Sequence, residues 1–127
     1  MAGGSAADRL AADGPLDWRV AVLIAADVCR GLAAIHDAGF LHLDIKPANV
    51  LLPARAAGES GAGTKPSGGA VVAKLTDFSL SAAGGAGGGG VAAGTPAYMS
   101  PEQRTSVAMT ARTDVYGVGA TLFALLV

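Results

Sequence analysis

Four side chains in two short stretches carry chemistry. The run His42-Leu43-Asp44-Ile45-Lys46-Pro47-Ala48-Asn49 puts a carboxylate, an ammonium and a carboxamide on one loop, and Thr76-Asp77-Phe78-Ser79 adds a second carboxylate further along. Such a set suits phosphoryl transfer to a hydroxyl. One carboxylate orients the hydroxyl and accepts its proton, the ammonium neutralises the moving phosphoryl group, and the amide oxygen with the second carboxylate holds magnesium. Hard oxygen donors, with no cysteine and no histidine pair, match that metal. Any one of these residues alone reads as a loop cap or a solvated charge; the ordered set is hard to obtain by chance.

Few elements are available to position them. Leu16, Val20, Leu23, Ile24, Val28, Leu32 and Ile35 fall at steps of three and four, the stripe of an amphipathic helix. The helix is expected to end at Gly39, which can turn left-handed just past a C-terminus, with His36 in its last turn. Residues 40–43 then read as a short extended piece. Pro47 biases Lys46 away from helix, so residues 44–49 are expected to form a loop. The β-type runs 50–52 and 71–75 pair as a hairpin around a flexible insertion, residues 53–70, rich in Gly, Ala, Ser and Pro. A second flexible stretch, residues 81–93, is almost all Gly and Ala. From Thr113 the pattern is helical again, and residues 115–127 are apolar on nearly every side, which asks for burial all round. Residues 1–14 are small and polar and read as a disordered leader. The expected fold class is mainly α with a small β-hairpin.

Composition narrows the partners. The 127 residues suffice for one small domain or part of a larger one. The 51% hydrophobic share is inflated by 28 alanines, and with 19 glycines and 5% aromatics the core is expected to be marginal. A net charge of −1 gives no electrostatic case for nucleic acid or an anionic membrane. Cys29 is the only cysteine, which excludes an internal disulfide and a cysteine metal cage; it reads as a small buried side chain on a helix. The N-terminus lacks the pattern of a secretory signal, and the apolar run 115–127 falls short of the roughly 20 residues of a membrane span, so the chain reads as intracellular and cytoplasmic. Two phosphate-loop patterns are decoys. Residues 58–65 end with Thr64-Lys65 in the wrong order before Pro66, and Gly85, Gly87 and Gly90 match only because the tract repeats glycine.

The run 42–52, together with Asp77-Phe78-Ser79, resembles the catalytic loop and D-F-G metal motif of the eukaryotic-type protein kinase family. Gly94-Thr95-Pro96-Ala97-Tyr98-Met99-Ser100-Pro101-Glu102 is similar to the end of that family's activation segment, with Ser100-Pro101-Glu102 in place of A-P-E. Asp114-Val115-Tyr116-Gly117-Val118-Gly119 resembles the start of its buried central helix. The resemblance implies that residues 15–127 are a partial kinase domain. They form the front of the C-terminal lobe, from the helix called αE (residues 16–36) into the one called αF, with the N-terminal lobe absent. Leu16-Asp17-Trp18 is similar to receptor-like and tyrosine-kinase-like members.

That resemblance further implies a Ser/Thr protein kinase, dependent on ATP and Mg2+ in its full-length context, with a protein hydroxyl as substrate. Asp44 is then the hydroxyl-orienting base, and Lys46 contacts the transferring phosphate of the nucleotide. Asn49 and Asp77 bind magnesium, Leu51 forms the floor under adenine, and Thr95 contacts Asp44 and Lys46. Lys46 with Thr95 favours Ser/Thr over Tyr. His42 stacks on Phe78, and Asp114 accepts hydrogen bonds from the catalytic-loop backbone. Leu43 replaces the arginine of H-R-D, so the cation that would hold an activation-loop phosphate is missing. Ser79 replaces the glycine of D-F-G. The arginine that pairs with Glu102 in the family, the V-A-I-K lysine, its glutamate partner and a glycine-rich lid have no counterpart in the sequence. The isolated chain is therefore expected to need an N-lobe or a partner chain for activity. The rival reading is a catalytically inactive kinase-like binding or scaffold module, or a truncated product. Retention of Asp44, Lys46, Asn49 and Asp77 argues against it.

Overall fold

The computed structural model describes residues 3–54, 72–77, 82–83, 94–105 and 107–127. Helix α1 (Ala6–Asp13) is followed by the long helix α2 (Trp18–Asp37), strand β1 (Phe40–Leu41), a 3₁₀ turn at Pro47–Asn49 and strands β2 (Val50–Leu51), β3 (Lys74–Leu75) and β4 (Ala82–Ala83). A second 3₁₀ turn at Pro96–Tyr98, the single-turn helix α3 (Pro101–Arg104) and helix α4 (Ala111–Leu126) complete the order. The architecture is mainly α-helical. Its strands form two separate two-stranded antiparallel sheets, β1 with β4 and β2 with β3.

Helix α2 follows its apolar stripe. Asp17 caps it by accepting from the Arg19 N–H at 2.8 Å, and Gly39, at φ +86°, lets the chain leave its C-terminus. Its buried face, Ala21, Ile24, Val28 and Leu32, packs with Leu16, Ile45, Val50, Leu52, Val118 and Leu125 into the core. Cys29 lies one residue past Val28, about 100° further round the helix, and is exposed rather than buried. Asp27 on the same helix accepts from the Ala73 N–H at 2.9 Å, tying the approach to β3 onto α2.

The leader reading is corrected by α1. Alanine is the best helix former, and Ser5 closes a capping box with Asp8: the Asp8 N–H donates to Ser5 Oγ at 3.1 Å, and the Ser5 N–H donates to Asp8 Oδ2 at 2.8 Å. Gly14, at φ +74°, ends the helix. Its start lies along β2, where Leu52 N–H donates to Gly4 O at 2.8 Å and Ser5 bridges Leu51. Ala6 is fully buried there.

The expected hairpin forms in register, Val50 opposite Leu75 and Leu51 opposite Lys74. Of the insertion expected between its strands, residues 55–70 lie outside the described residues, and so do the two glycine-rich decoys. The stretch 81–93 is corrected at one point. Ala82–Ala83 is strand, pairing with Phe40–Leu41 and satisfying backbone groups at the entrance to the catalytic-type loop. The rest of that stretch, together with Phe78 and Ser79, lies outside the described residues.

Helix α4 is capped by Thr110, whose Oγ1 accepts from the Arg112 N–H at 3.2 Å, and it packs mainly on α2. Gly117 faces Ile45 so closely that a Cβ there would lie 2.9 Å from the Ile45 Cβ. Burial all round is not realised: Val118, Thr121 and Leu125 are buried, while Val115, Tyr116 and Phe123 are exposed. No described helix is long and apolar enough to cross a membrane.

Candidate active site

The loop 42–49 is hung on the first turn of α4. Asp114, 1% exposed, accepts from the His42 N–H at 2.9 Å through Oδ2 and from the Leu43 N–H at 2.8 Å through Oδ1. His36, in the last turn of α2, adds its Nε2 to the same Oδ2 at 2.8 Å. One buried carboxylate thus gathers a helix end and the loop entrance, and the hydrogen bonds offset its desolvation. The His42 ring, fully buried, is used at both nitrogens. Asp44 N–H donates to Nδ1 at 3.1 Å, so Nε2 carries the proton and donates to Thr76 O at 2.9 Å. That second bond ties the loop to the residue before Asp77.

Asp44, Lys46 and Thr95 meet although 49 residues separate Lys46 from Thr95. Lys46 Nζ donates to Thr95 Oγ1 at 2.6 Å, and Thr95 Oγ1 donates to Asp44 Oδ1 at 3.0 Å. The Lys46 ammonium stands 3.6 Å from Asp44 Oδ2. Asn49 closes the loop from the other side, its Nδ2 donating to Asp44 O at 2.8 Å and to Asp44 Oδ2 at 3.2 Å. Asp44 is 8% exposed, so the carboxylate is held on three sides while a sliver of it faces solvent.

Asp77 is positioned by the β2–β3 pair. One step beyond the Val50–Leu75 pairing, Thr76 N–H donates to Asn49 O at 2.9 Å, which brings Asp77 beside the loop that carries Asn49. Asp77 takes φ +60° and Leu43 φ +68°, left-handed conformations that cost a side-chain-bearing residue roughly 1–2 kcal/mol. At Leu43 the strain is held by its N–H on Asp114 and its carbonyl on Gln103. Asn49 and Asp77 offer hard oxygen donors, a set that fits magnesium, which takes one or two protein oxygens and completes its octahedron with phosphate and water. Among the described residues no three His, Cys, Asp or Glu cluster to hold a metal by themselves. Leu51 lies on β2, bridged by Ser5 on one side and opposite Lys74 on the other.

Two parts of the site were not anticipated from sequence. Gln103, 4% exposed, reaches from α3 to donate through Nε2 to Leu43 O at 2.9 Å. Glu102 finds its partner in Thr113, whose Oγ1 donates to Glu102 Oε1 at 2.8 Å. Its carboxyl is held below the ordinary 4.5 by hydrogen bonding from its own backbone N–H first and from Thr113 second. The Ser100-x-x-Gln103 spacing of a capping box was a legible signal for α3, but its second bond partner was not. The expected stacking of His42 on Phe78 lies outside the described residues.

The site thus combines a polar loop built on a buried aspartate, an Asp-Lys-Thr contact set and a second aspartate two residues past β3. The protein kinase domain family matches residues 1–127, and the chain belongs to it. The chain is 39% identical over 115 residues to the serine/threonine-protein kinase PknK of Mycobacterium bovis, covering 89% of this chain and 9% of that protein. It is 37% identical over 119 residues to the serine/threonine-protein kinase PkaA of Streptomyces coelicolor, covering 90% of this chain and 19% of that protein. It is 34% identical over 119 residues to the serine/threonine-protein kinase pkn2 of Myxococcus xanthus, covering 89% and 13%. The chain thus spans less than a fifth of these relatives' length, and the relatives it resembles are serine/threonine-protein kinases.

Proposed function

We propose that the chain is the front of the C-terminal lobe of a Ser/Thr protein kinase, the N-lobe lying outside it, and that it transfers the terminal phosphoryl group of ATP to a protein hydroxyl in its full-length context. The observation that carries this reading is Thr95 Oγ1 seated between Lys46 Nζ and Asp44 Oδ1. Asp44 orients the substrate hydroxyl and takes its proton as the new oxygen–phosphorus bond forms and the bond to the ADP oxygen breaks. Lys46, kept in place by Thr95, sets a positive charge where negative charge moves. Asn49 and Asp77 would hold magnesium, which when bound neutralises phosphate charge. Leu51 would carry the adenine ring on its apolar side chain. Lys46 and Thr95 support Ser/Thr over Tyr as the acceptor, and the need for ATP argues for a working site in the cytoplasm.

Two substitutions in the natural polypeptide separate the roles. Asp44→Asn is expected to lower kcat by about 100-fold or more, the order expected for losing a general base, with MgATP affinity nearly unchanged. Asp77→Asn is expected to weaken MgATP binding instead. Nucleotide titration beside a phosphate-transfer assay on Ser, Thr and Tyr peptides reads both. Equal loss of nucleotide affinity in the two variants would refute the assignment.

A further inference from the structure

Gln103 has two neighbours that only a carboxamide satisfies together. Its Oε1 accepts from the Ser100 N–H at 3.1 Å, and its Nε2 donates to the Leu43 carbonyl at 2.9 Å, across 60 residues of chain. Ser100 N–H can only donate and Leu43 O can only accept, so the amide has one allowed orientation. A third segment converges on the same carbonyl. Gly94, next to Thr95, has φ +123°, and a Cβ there would lie 3.0 Å from Leu43 O and 3.1 Å from Gln103 Nε2. Leu43 precedes Asp44, and its N–H is fixed on Asp114. Thr95 follows Gly94, and its carbonyl accepts from the Tyr98 N–H at 2.9 Å in the turn leading to Ser100. The Leu43 carbonyl is thus where the segment bearing Asp44, the segment bearing Thr95 and the start of α3 are pinned together.

We propose that Gln103 is a positioning residue: its carboxamide locks the 94–100 segment onto the catalytic loop and so sets the Thr95 hydroxyl between Asp44 and Lys46. The kinetic consequence rests on the function proposed above; the structural one does not. The rival role, a capping-box residue for α3, makes the opposite forecast for one substitution. Glutamate is the common residue at that cap position, so a capping role leaves Gln103→Glu neutral. A positioning role does not, because an ionised carboxylate offers the Leu43 carbonyl no donor. A protonated carboxyl does offer one. The ionisable groups sharing the small cavity are the carboxylates of Asp44 and Asp114 and the phenol of Tyr98. Burial and these carboxylates both push the introduced group's titration upward, within reach of mild acid.

In the natural polypeptide, Gln103→Glu is expected to lose about tenfold in kcat at about pH 7.5, the size of one buried hydrogen bond, with KM for MgATP unchanged. At about pH 5.5 it is expected to return to within about twofold of the unsubstituted protein at that pH. Gln103→Met, similar in shape and without a donor, stays low at both. A Gln103→Glu variant with full kcat at the higher pH, or one that acid does not rescue, overturns the proposal. NMR of the natural polypeptide tests the contact independently of activity. The Gln103 side-chain amide protons should exchange slowly, and Gln103→Met should move the Thr95 and Lys46 side-chain resonances. Fast exchange of those amide protons, or unmoved resonances, also overturns it. Absence of any phosphate transfer in the unsubstituted protein would strike at the proposed function and leave this NMR test standing.

Discussion

Asp114 shows how much one side chain carries here. Its two oxygens receive the His42 and Leu43 N–H groups and the His36 ring, all at a position 1% exposed. Asp114→Asn keeps the shape, replaces one acceptor by a donor and turns an N–H toward another N–H. The expected loss is about 2–3 kcal/mol, the cost of a charge-assisted bond plus an unsatisfied buried donor. Urea unfolding of the variant beside the unsubstituted chain measures it. The role of Asp114 was legible through the family resemblance, but His36 was not. In sequence it is only a basic residue in a last helical turn, and nothing local says that its ring reaches a carboxylate 78 residues on.

Among the elements, α1 and α4 give contrasting tests. Ser5→Ala removes a capping oxygen and is expected to cost about 1 kcal/mol of α1 stability, read by helix-resolved amide exchange. Asp8 in the same box is held below its ordinary 3.8, first by the Ser5 backbone N–H and then by the Ser5 hydroxyl. A carboxyl lowered in the folded state stabilises above its unfolded value and loses that contribution as pH falls through the folded one. Protection of the α1 amides, relative to their intrinsic exchange, should therefore fall below about pH 4; Ser5→Ala keeps the backbone N–H that is the larger cause and should retain most of this response, whereas Asp8→Asn should abolish it. On α4, Gly119 is exposed with nothing within 4 Å of an added Cβ, so Gly119→Ala should raise stability by up to about 1 kcal/mol through helix propensity. Gly117→Ala gains the same propensity but drives its Cβ to 2.9 Å from Ile45 Cβ, and should cost about 1–3 kcal/mol. Thermal unfolding of the pair separates packing from propensity, since the two changes carry opposite signs.

At the scale of the whole molecule, α2, α4 and the β2–β3 pair join the loop 42–49 and the segment bearing Leu51 into one core. The V-A-I-K lysine, its glutamate partner and the glycine-rich lid that clamp the nucleotide in the family have no match in the 127 residues. The 127-residue chain is therefore expected to show no tight MgATP binding in a calorimetric titration and no turnover on a Ser/Thr peptide. Micromolar affinity with measurable turnover would contradict that expectation. Val115, Tyr116 and Phe123, with Phe123 67% exposed, line the outer side of α4. An apolar helix face of that kind favours self-association, so sedimentation of the purified chain should depend on concentration, and Phe123→Ser should weaken the dependence.

Local pattern was enough for α2, the hairpin pairing of 50–51 with 74–75 and the left turn at Gly39, because each rests on spacing within a few residues. The candidate set Asp44, Lys46, Asn49 and Asp77 was chosen on the same local ground, residue type and order along one short loop and the segment that follows β3, and the structure brings Asp44, Lys46 and Asn49 into contact. Helix α1 was missed because alanine-rich sequence looks like a linker until the capping box at Ser5 is weighed with it. Cys29 was misplaced because a one-residue step on a helix changes face. Only the tertiary structure decided that Thr95 stands between Lys46 and Asp44, that Glu102 pairs with Thr113, and that Gln103 meets Leu43. Each of these joins residues from separate segments through one atom-to-atom bond, and no periodicity along the chain encodes which distant polar groups will be buried face to face.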